Sequence, residues 1–264
     1  LRTTAARRLG VICGCHELTG DRWSIYPYAA ALRERGFDVF CFDFRNHGES
    51  DSTSMYAPLP WLSRYELLDV RAALDYLSSR EDADPRGVGL IGVSRGGVAA
   101  LCGASRDRRV RAIVTDGAFP TAAMQVHYIR RYMSIFTLYA RFFALLPDWI
   151  LALLASQGRW LVERRRQVRF APVELSLRRL HQPVLLIHGE LDPFVPLEVV
   201  DSLVRMLPWR TRRWIVPGAR HNGALEVARA EYERRVARFF LKHLGAGRRQ
   251  TPQPVAEEQE SGVS

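Results

Sequence analysis

The sequence predicts an α/β fold, a mainly parallel central sheet with helices on both faces. Three observations carry this. Short apolar runs alternate with stretches of helical periodicity, the pattern of right-handed βαβ units. The runs themselves show little polar alternation, as expected of strands covered on both faces. Within Val88–Ala100, an apolar run passes through Gly92-Val93-Ser94-Arg95-Gly96 into a helix of small residues. That is a G-x-S-x-G match, which sets a serine on a tight strand-to-helix turn.

The elements follow in order. Leu9–Cys15 is an apolar run ending at His16-Glu17-Leu18-Thr19-Gly20. A helix is predicted from about Trp23 to Arg35, stopping at Gly36, a good residue just past a helix end. Phe37–Phe44 is the next strand, followed by the polar turn Arg45–Ser50. Arg64–Arg80 carries an apolar stripe through Leu67, Val70, Leu74 and Leu77. The strand before Ser94 and its helix come next, then Val110–Val114, ending at Thr115-Asp116-Gly117. From about Phe119 to Val173 the text is aromatic, arginine-rich and helical, with no strand. Pro183–His188 restores the strand rhythm. A helix over Leu197–Leu207, a strand over Thr211–Val216 and a helix over Ala224–His243 complete the fold. Residues 245–264, rich in Gly, Pro, Gln and Glu, are expected to be disordered.

At 264 residues with 47% apolar content the chain can bury a sizeable core. The net charge of +10 comes almost wholly from arginine, since Lys242 is the only lysine. The arginines are spread along the chain with no nucleic-acid-binding signature, so a solvated basic surface is expected and no nucleic-acid partner. No uncharged apolar run of about 18 residues appears, which excludes a conventional membrane span. The first residues lack an apolar leader segment and do not begin with Met; a truncated or processed chain is expected. Cys13, Cys15, Cys41 and Cys102 form no metal-ligand or disulfide spacing, so reduced thiols in the cytoplasm, without a metal or cofactor, are expected.

In parallel sheets of this kind the active site lies beyond the carboxyl ends of the strands. The ends here deliver His16-Glu17-Leu18, Asp43, Ser94, Asp116, His188-Gly189-Glu190-Leu191-Asp192 and His221. A nucleophile, several acids and several histidines therefore share one edge. An alcohol needs an adjacent base to act as a nucleophile. Of seven histidines, only His221 lies in the loop directly after the last strand. Asp192, Glu190 and Asp116 compete to orient it. Asp192 lies 29 residues before His221, an interval that suits one helix and one strand between acid and base.

These residues resemble the α/β-hydrolase superfamily. The motifs are Cys15–Gly20, Asp43–Ser50, Gly92–Gly96, His188–Pro196 and Gly218-Ala219-Arg220-His221-Asn222, in the family's order over nearly the whole chain. The text looks most like the lidded serine esterases of monoglyceride-lipase and acyl-peptidase type. The resemblance implies a Ser94 nucleophile, a His221 base, an Asp192 orienter and an oxyanion hole from the backbone N–H groups of Leu18 and Arg95. It also implies a hydrolase core over 1–118 and 174–244, with a helical lid over 119–173. Two departures stand out. Members usually carry His-Gly where this chain has His16-Glu17, and the first two strands of the family are absent from this sequence.

The expected activity is hydrolysis of carboxylic esters, acyl or lipid-like, through an acyl-enzyme. Thioester, peptide or acyl-transfer chemistry on the same site, and a silent binding protein of the same fold, are the alternatives. The Glu17 side chain is expected to face solvent or to pair with an arginine such as Arg22. Two amphipathic lid helices broken at Pro147 are expected, with Phe142, Phe143, Leu145, Leu146, Trp149 and Leu153 lining an acyl pocket and arginines resting on anionic lipid.

Overall fold

A computed structural model describes residues 1–54, 56–136 and 145–245. Six strands form one parallel sheet: β1 (Gly10–Cys15), β2 (Phe37–Cys41), β3 (Val88–Val93), β4 (Val110–Asp116), β5 (Val184–Gly189) and β6 (Arg212–Val216). Their order across the sheet is β2-β1-β3-β4-β5-β6, and every neighbouring pair is parallel.

The helices are α1 (Arg22–Glu34), α2 (Arg64–Ser79), α3 (Arg95–Ala104), α4 (Thr121–Phe136), α5 (Asp148–Arg166), α6 (Val173–Arg178), α7 (Leu197–Val204), α8 (Ala224–Val227) and α9 (Arg229–Phe240). One helix was predicted over Ala224–His243. The backbone breaks it at Ala228, with φ −132° and ψ 44°, into α8 and α9, and a π-type turn over Leu241–Gly245 follows. Local chemistry fixes other ends. Asp21 caps α1 by accepting the Trp23 and Ser24 N–H groups, while Ser63 and Glu66 form a reciprocal capping box on α2. Pro147 stands immediately before α5, where a missing N–H is harmless, with Asp148 in the first turn.

Side chains alternate across each strand, so the sheet feeds two cores. On one face Leu90, Ile113 and Leu186 pack with Leu74 and Leu101 of α2 and α3. On the other, Ile12, Ile91 and Ile187 pack with Leu32 of α1 and with Tyr232 and Phe240 of α9. Burial on both faces is why the strands read as unbroken apolar runs. Among the described residues between β4 and β5 lie the helices α4, α5 and α6, and this part leans on the core: Ala171 N–H donates to Leu62 O, and Ser63 bridges to Phe170. The 245–264 tail lies outside the described residues beyond 245.

Candidate active site

Ser94 occupies the turn between β3 and α3 with φ 50° and ψ −121°, a conformation that non-glycine residues rarely adopt. Two neighbours make the turn closable. A Cβ on Gly92 would strike the Gly96 backbone, and a Cβ on Gly96 would land on the carbonyl oxygens of Cys15 and His16. Only glycine fits either place, which explains the motif's spacing physically. Ser94 N–H donates to Asp116 O at 2.7 Å, extending the β3–β4 ladder into the turn.

The three residues expected from the sequence meet here. Ser94 Oγ lies 2.9 Å from His221 Nε2, and His221 Nδ1 lies 2.6 Å from Asp192 Oδ2. With Nδ1 facing a carboxylate, Nε2 is free to accept a proton from the serine. Asp192 Oδ1 accepts N–H bonds from Phe194 at 2.8 Å and Val195 at 2.9 Å. Burial pushes the Asp192 carboxyl up, but the His221 bond and charge and those two N–H groups outweigh it and hold it below the usual carboxylate range. Glu190, one rival, lies exposed and accepts from Gly218 N–H. Phe194 stands edge-on to the imidazole at 5.5 Å.

Asp116, the other rival, is buried, and among the described residues neither carboxylate oxygen has a hydrogen-bond partner. Burial, then the Asp192 charge, pushes it up to about 8. The next residue, Gly117, has φ +71°, and a Cβ there would come within 3.2 Å of His221 Cε1 and 2.8 Å of Asn222 Oδ1. This glycine admits the imidazole, a role that nothing in its immediate sequence signals.

The loop after β1 is held by two histidines. His16 Nδ1 donates to Glu17 O at 2.7 Å while Nε2 accepts the Phe44 N–H at 3.1 Å, and burial lowers its pKa to about 4. His47 Nε2 lies 2.8 Å from Leu18 O. The Leu18 and Arg95 N–H groups have no hydrogen-bond partner among the described residues. The Arg95 side chain turns away into a buried ion pair with Glu66 at 2.6 Å, to which Tyr56 and Ser63 also donate. Sequence reading missed Glu66, which lies 29 residues from its partner.

Two expectations are corrected. Glu17 does not pair with Arg22, which is bound to Asp43 and Glu49; Glu17 accepts instead from Ser24 Oγ at 3.2 Å. The expected acyl-pocket lining is also displaced. Leu145, Trp149 and Leu153 face solvent, while Phe142 and Phe143 lie outside the described residues. An apolar groove of about 480 Å³ exists, but Trp61, Tyr128, Ile129, Met133 and Val162 wall it. Trp61 packs on Phe119, just beyond β4, and the carbonyl of Leu59, another wall residue, accepts from Arg95 Nη1.

A family model for the α/β hydrolase fold matches residues 10–182. Among curated relatives, YfhR of Escherichia coli O157:H7 is 24% identical over 243 residues, 91% of this chain and 73% of its own length. Rv2307c of Mycobacterium tuberculosis is 28% identical over 210 residues, 79% of this chain, so that the chain spans only 61% of that relative. Among solved structures, the Pyrococcus furiosus esterase Pf2001 superimposes with TM-score 0.66 at 22% identity, covering 90% of this chain and 82% of its own. Est1E of Butyrivibrio proteoclasticus, solved with ferulic acid bound, gives 0.65 at 19% identity over 90% of this chain and 91% of its own. A family match of that extent, on a sheet with this strand order, makes the chain a member of the α/β-hydrolase-fold family.

Proposed function

We propose that the chain is a serine hydrolase that cleaves carboxylic esters with an apolar acyl group. The observation that carries the reading is the unbroken hydrogen-bond chain Ser94–His221–Asp192 at the sheet's carboxyl edge. Ser94 Oγ attacks the ester carbonyl carbon as its proton passes to His221 Nε2. The carbonyl oxygen becomes an oxyanion and is met by the N–H groups of Arg95, at the start of α3, and Leu18. Collapse breaks the C–O bond, and His221 returns the proton to the departing alcohol. Water, deprotonated by the same imidazole, then attacks the acyl-serine and regenerates the enzyme. Asp192 keeps Nδ1 protonated and stabilises the imidazolium without taking its proton.

The helical segment 119–173 serves as the lid in this reading, and the groove beside Trp61 and Tyr128 receives the acyl chain. Pf2001, which shares this fold, is an esterase, and that likeness supports ester chemistry in this reading. The test is an ester panel of graded acyl length, with thioester and amide analogues and Ser94→Ala as control. The expected result is Ser94-dependent ester hydrolysis that strengthens as the acyl chain grows to fill the groove. Hydrolysis that Ser94→Ala leaves unchanged, or preference for the shortest acyl group, contradicts the respective half of the proposal.

A further inference from the structure

Helix α5 presents to solvent a stripe formed by Trp149, Leu153, Trp160 and Arg164. At 3.6 residues per turn these positions fall within about 60° of one another, and the two tryptophans lie about 16 Å apart along the axis. Trp149 is 69% and Trp160 53% exposed, whereas Leu151 on the opposite side is fully buried. Polar ties to α4 fix this orientation: Arg130 pairs with Asp148 at 2.6 Å, and Arg159 bonds Gln125. Among the described residues nothing covers the stripe.

Beside Trp160 opens a cavity of about 600 Å³ walled by Arg64, Arg164 and Arg169. The Arg164 guanidinium stands 4.5 Å over the Trp160 ring. Among the described residues no carboxylate lies within ion-pair distance of those three arginines. Glu163 shares the cavity, but its Oε1 accepts the Phe170 N–H at 2.7 Å. Two exposed indoles, an apolar side chain between them and a basic cavity at one end match an anionic phospholipid surface. Indoles sit at the headgroup level, the leucine reaches the acyl boundary, and guanidinium groups fork onto phosphates.

We infer that α5 docks the protein on an anionic phospholipid bilayer, the helix lying in the interface plane. No helix among the described residues is long and apolar enough to cross a membrane, so this contact is peripheral. Ala155, Gly158 and Val162, which line the apolar groove, lie on the opposite face of the same helix from the stripe, so the groove stays on the protein side of the docked helix. The docking itself is independent of the chemistry at Ser94.

Flotation with vesicles tests this, using phosphatidylcholine alone and phosphatidylcholine with about 30% phosphatidylglycerol. The protein is expected to float with the anionic vesicles only, for wild type and Ser94→Ala alike, so that failure of the hydrolase reading leaves the result intact. Trp149→Ser/Trp160→Ser and Arg164→Gln/Arg169→Gln are each expected to lower partitioning about tenfold or more while far-UV circular dichroism is unchanged. The inference is overturned by absence of flotation, by equal flotation of the tryptophan variant, or by flotation that depends on the arginines alone. Gel filtration showing a dimer that the tryptophan variant dissolves, without vesicle binding, overturns it too, since the stripe then serves a second copy.

Discussion

Ser94, Asp192 and His221 are held chiefly by backbone, whereas the side chains of α4 and α5 are held chiefly by one another. At the sheet edge, Ser94 takes its direction from a left-handed turn that two glycines permit, and Asp192 is gripped by consecutive N–H groups of its own loop. In the helical excursion, Leu151 is fixed by burial and Trp149 and Leu153 by their absence from that contact. A backbone-built site tolerates almost no added atom. A packing-built element concentrates its sensitivity in the few positions that touch the core.

The largest expected effects fall at the edge. Asp192→Asn preserves shape but removes the carboxylate that holds the His221 tautomer, and is expected to lower kcat by roughly 10³- to 10⁴-fold. An ester assay on folded protein checks it; a loss below tenfold would assign the orienting role to another acid. Gly96→Ala puts a Cβ onto two backbone carbonyl oxygens that cannot swing aside. It is expected to destabilise by about 4 kcal/mol or more, read as a collapse of the urea midpoint.

Within α5 the contrast narrows to neighbouring leucines. Leu151→Ala empties a buried site and is expected to cost about 2–4 kcal/mol, while Leu153→Ala is expected to stay within about 0.5 kcal/mol. Denaturation midpoints compare them, and equal losses would mean that both leucines are packed. Asp116 belongs to the edge but titrates as a core group. It is protonated in the folded state up to about pH 8 and ionises in the unfolded chain near 4, so its contribution is fully present below 4 and is lost as pH rises toward 8. Asp116→Asn is therefore expected to gain on the order of 1–3 kcal/mol at pH 8 and almost nothing at pH 4. A gain independent of pH would contradict the buried, protonated assignment. The smallest effect is expected at Glu17, whose carboxylate is tied to Ser24: Glu17→Gly should leave kcat within about twofold, since the proposed oxyanion donors are backbone N–H groups.

Legibility in the sequence follows the same division. The strands and the positions of Ser94, Asp192 and His221 were readable because strand ends, glycine spacing and chain order are local signals that the backbone must obey. Gly117 and Glu66 were not, because each answers to a partner distant in sequence, His221 for one and Arg95 for the other. Arg22 looked like a partner for Glu17 by proximity in the chain, yet Asp43 and Glu49 reach it from the loop after β2. For α5 the text showed an amphipathic helix, but which apolar residues face inward depends on where α4 and Trp61 stand, and composition holds no record of that.

Activation of Ser94 as a nucleophile is read by labelling with a fluorophosphonate followed by intact-mass and peptide analysis. The expected result is a single adduct on Ser94 that forms rapidly in wild type, slowly in His221→Ala and not at all in Ser94→Ala. Labelling of Ser94 at the same rate with and without His221, or an adduct on any other residue, would contradict it.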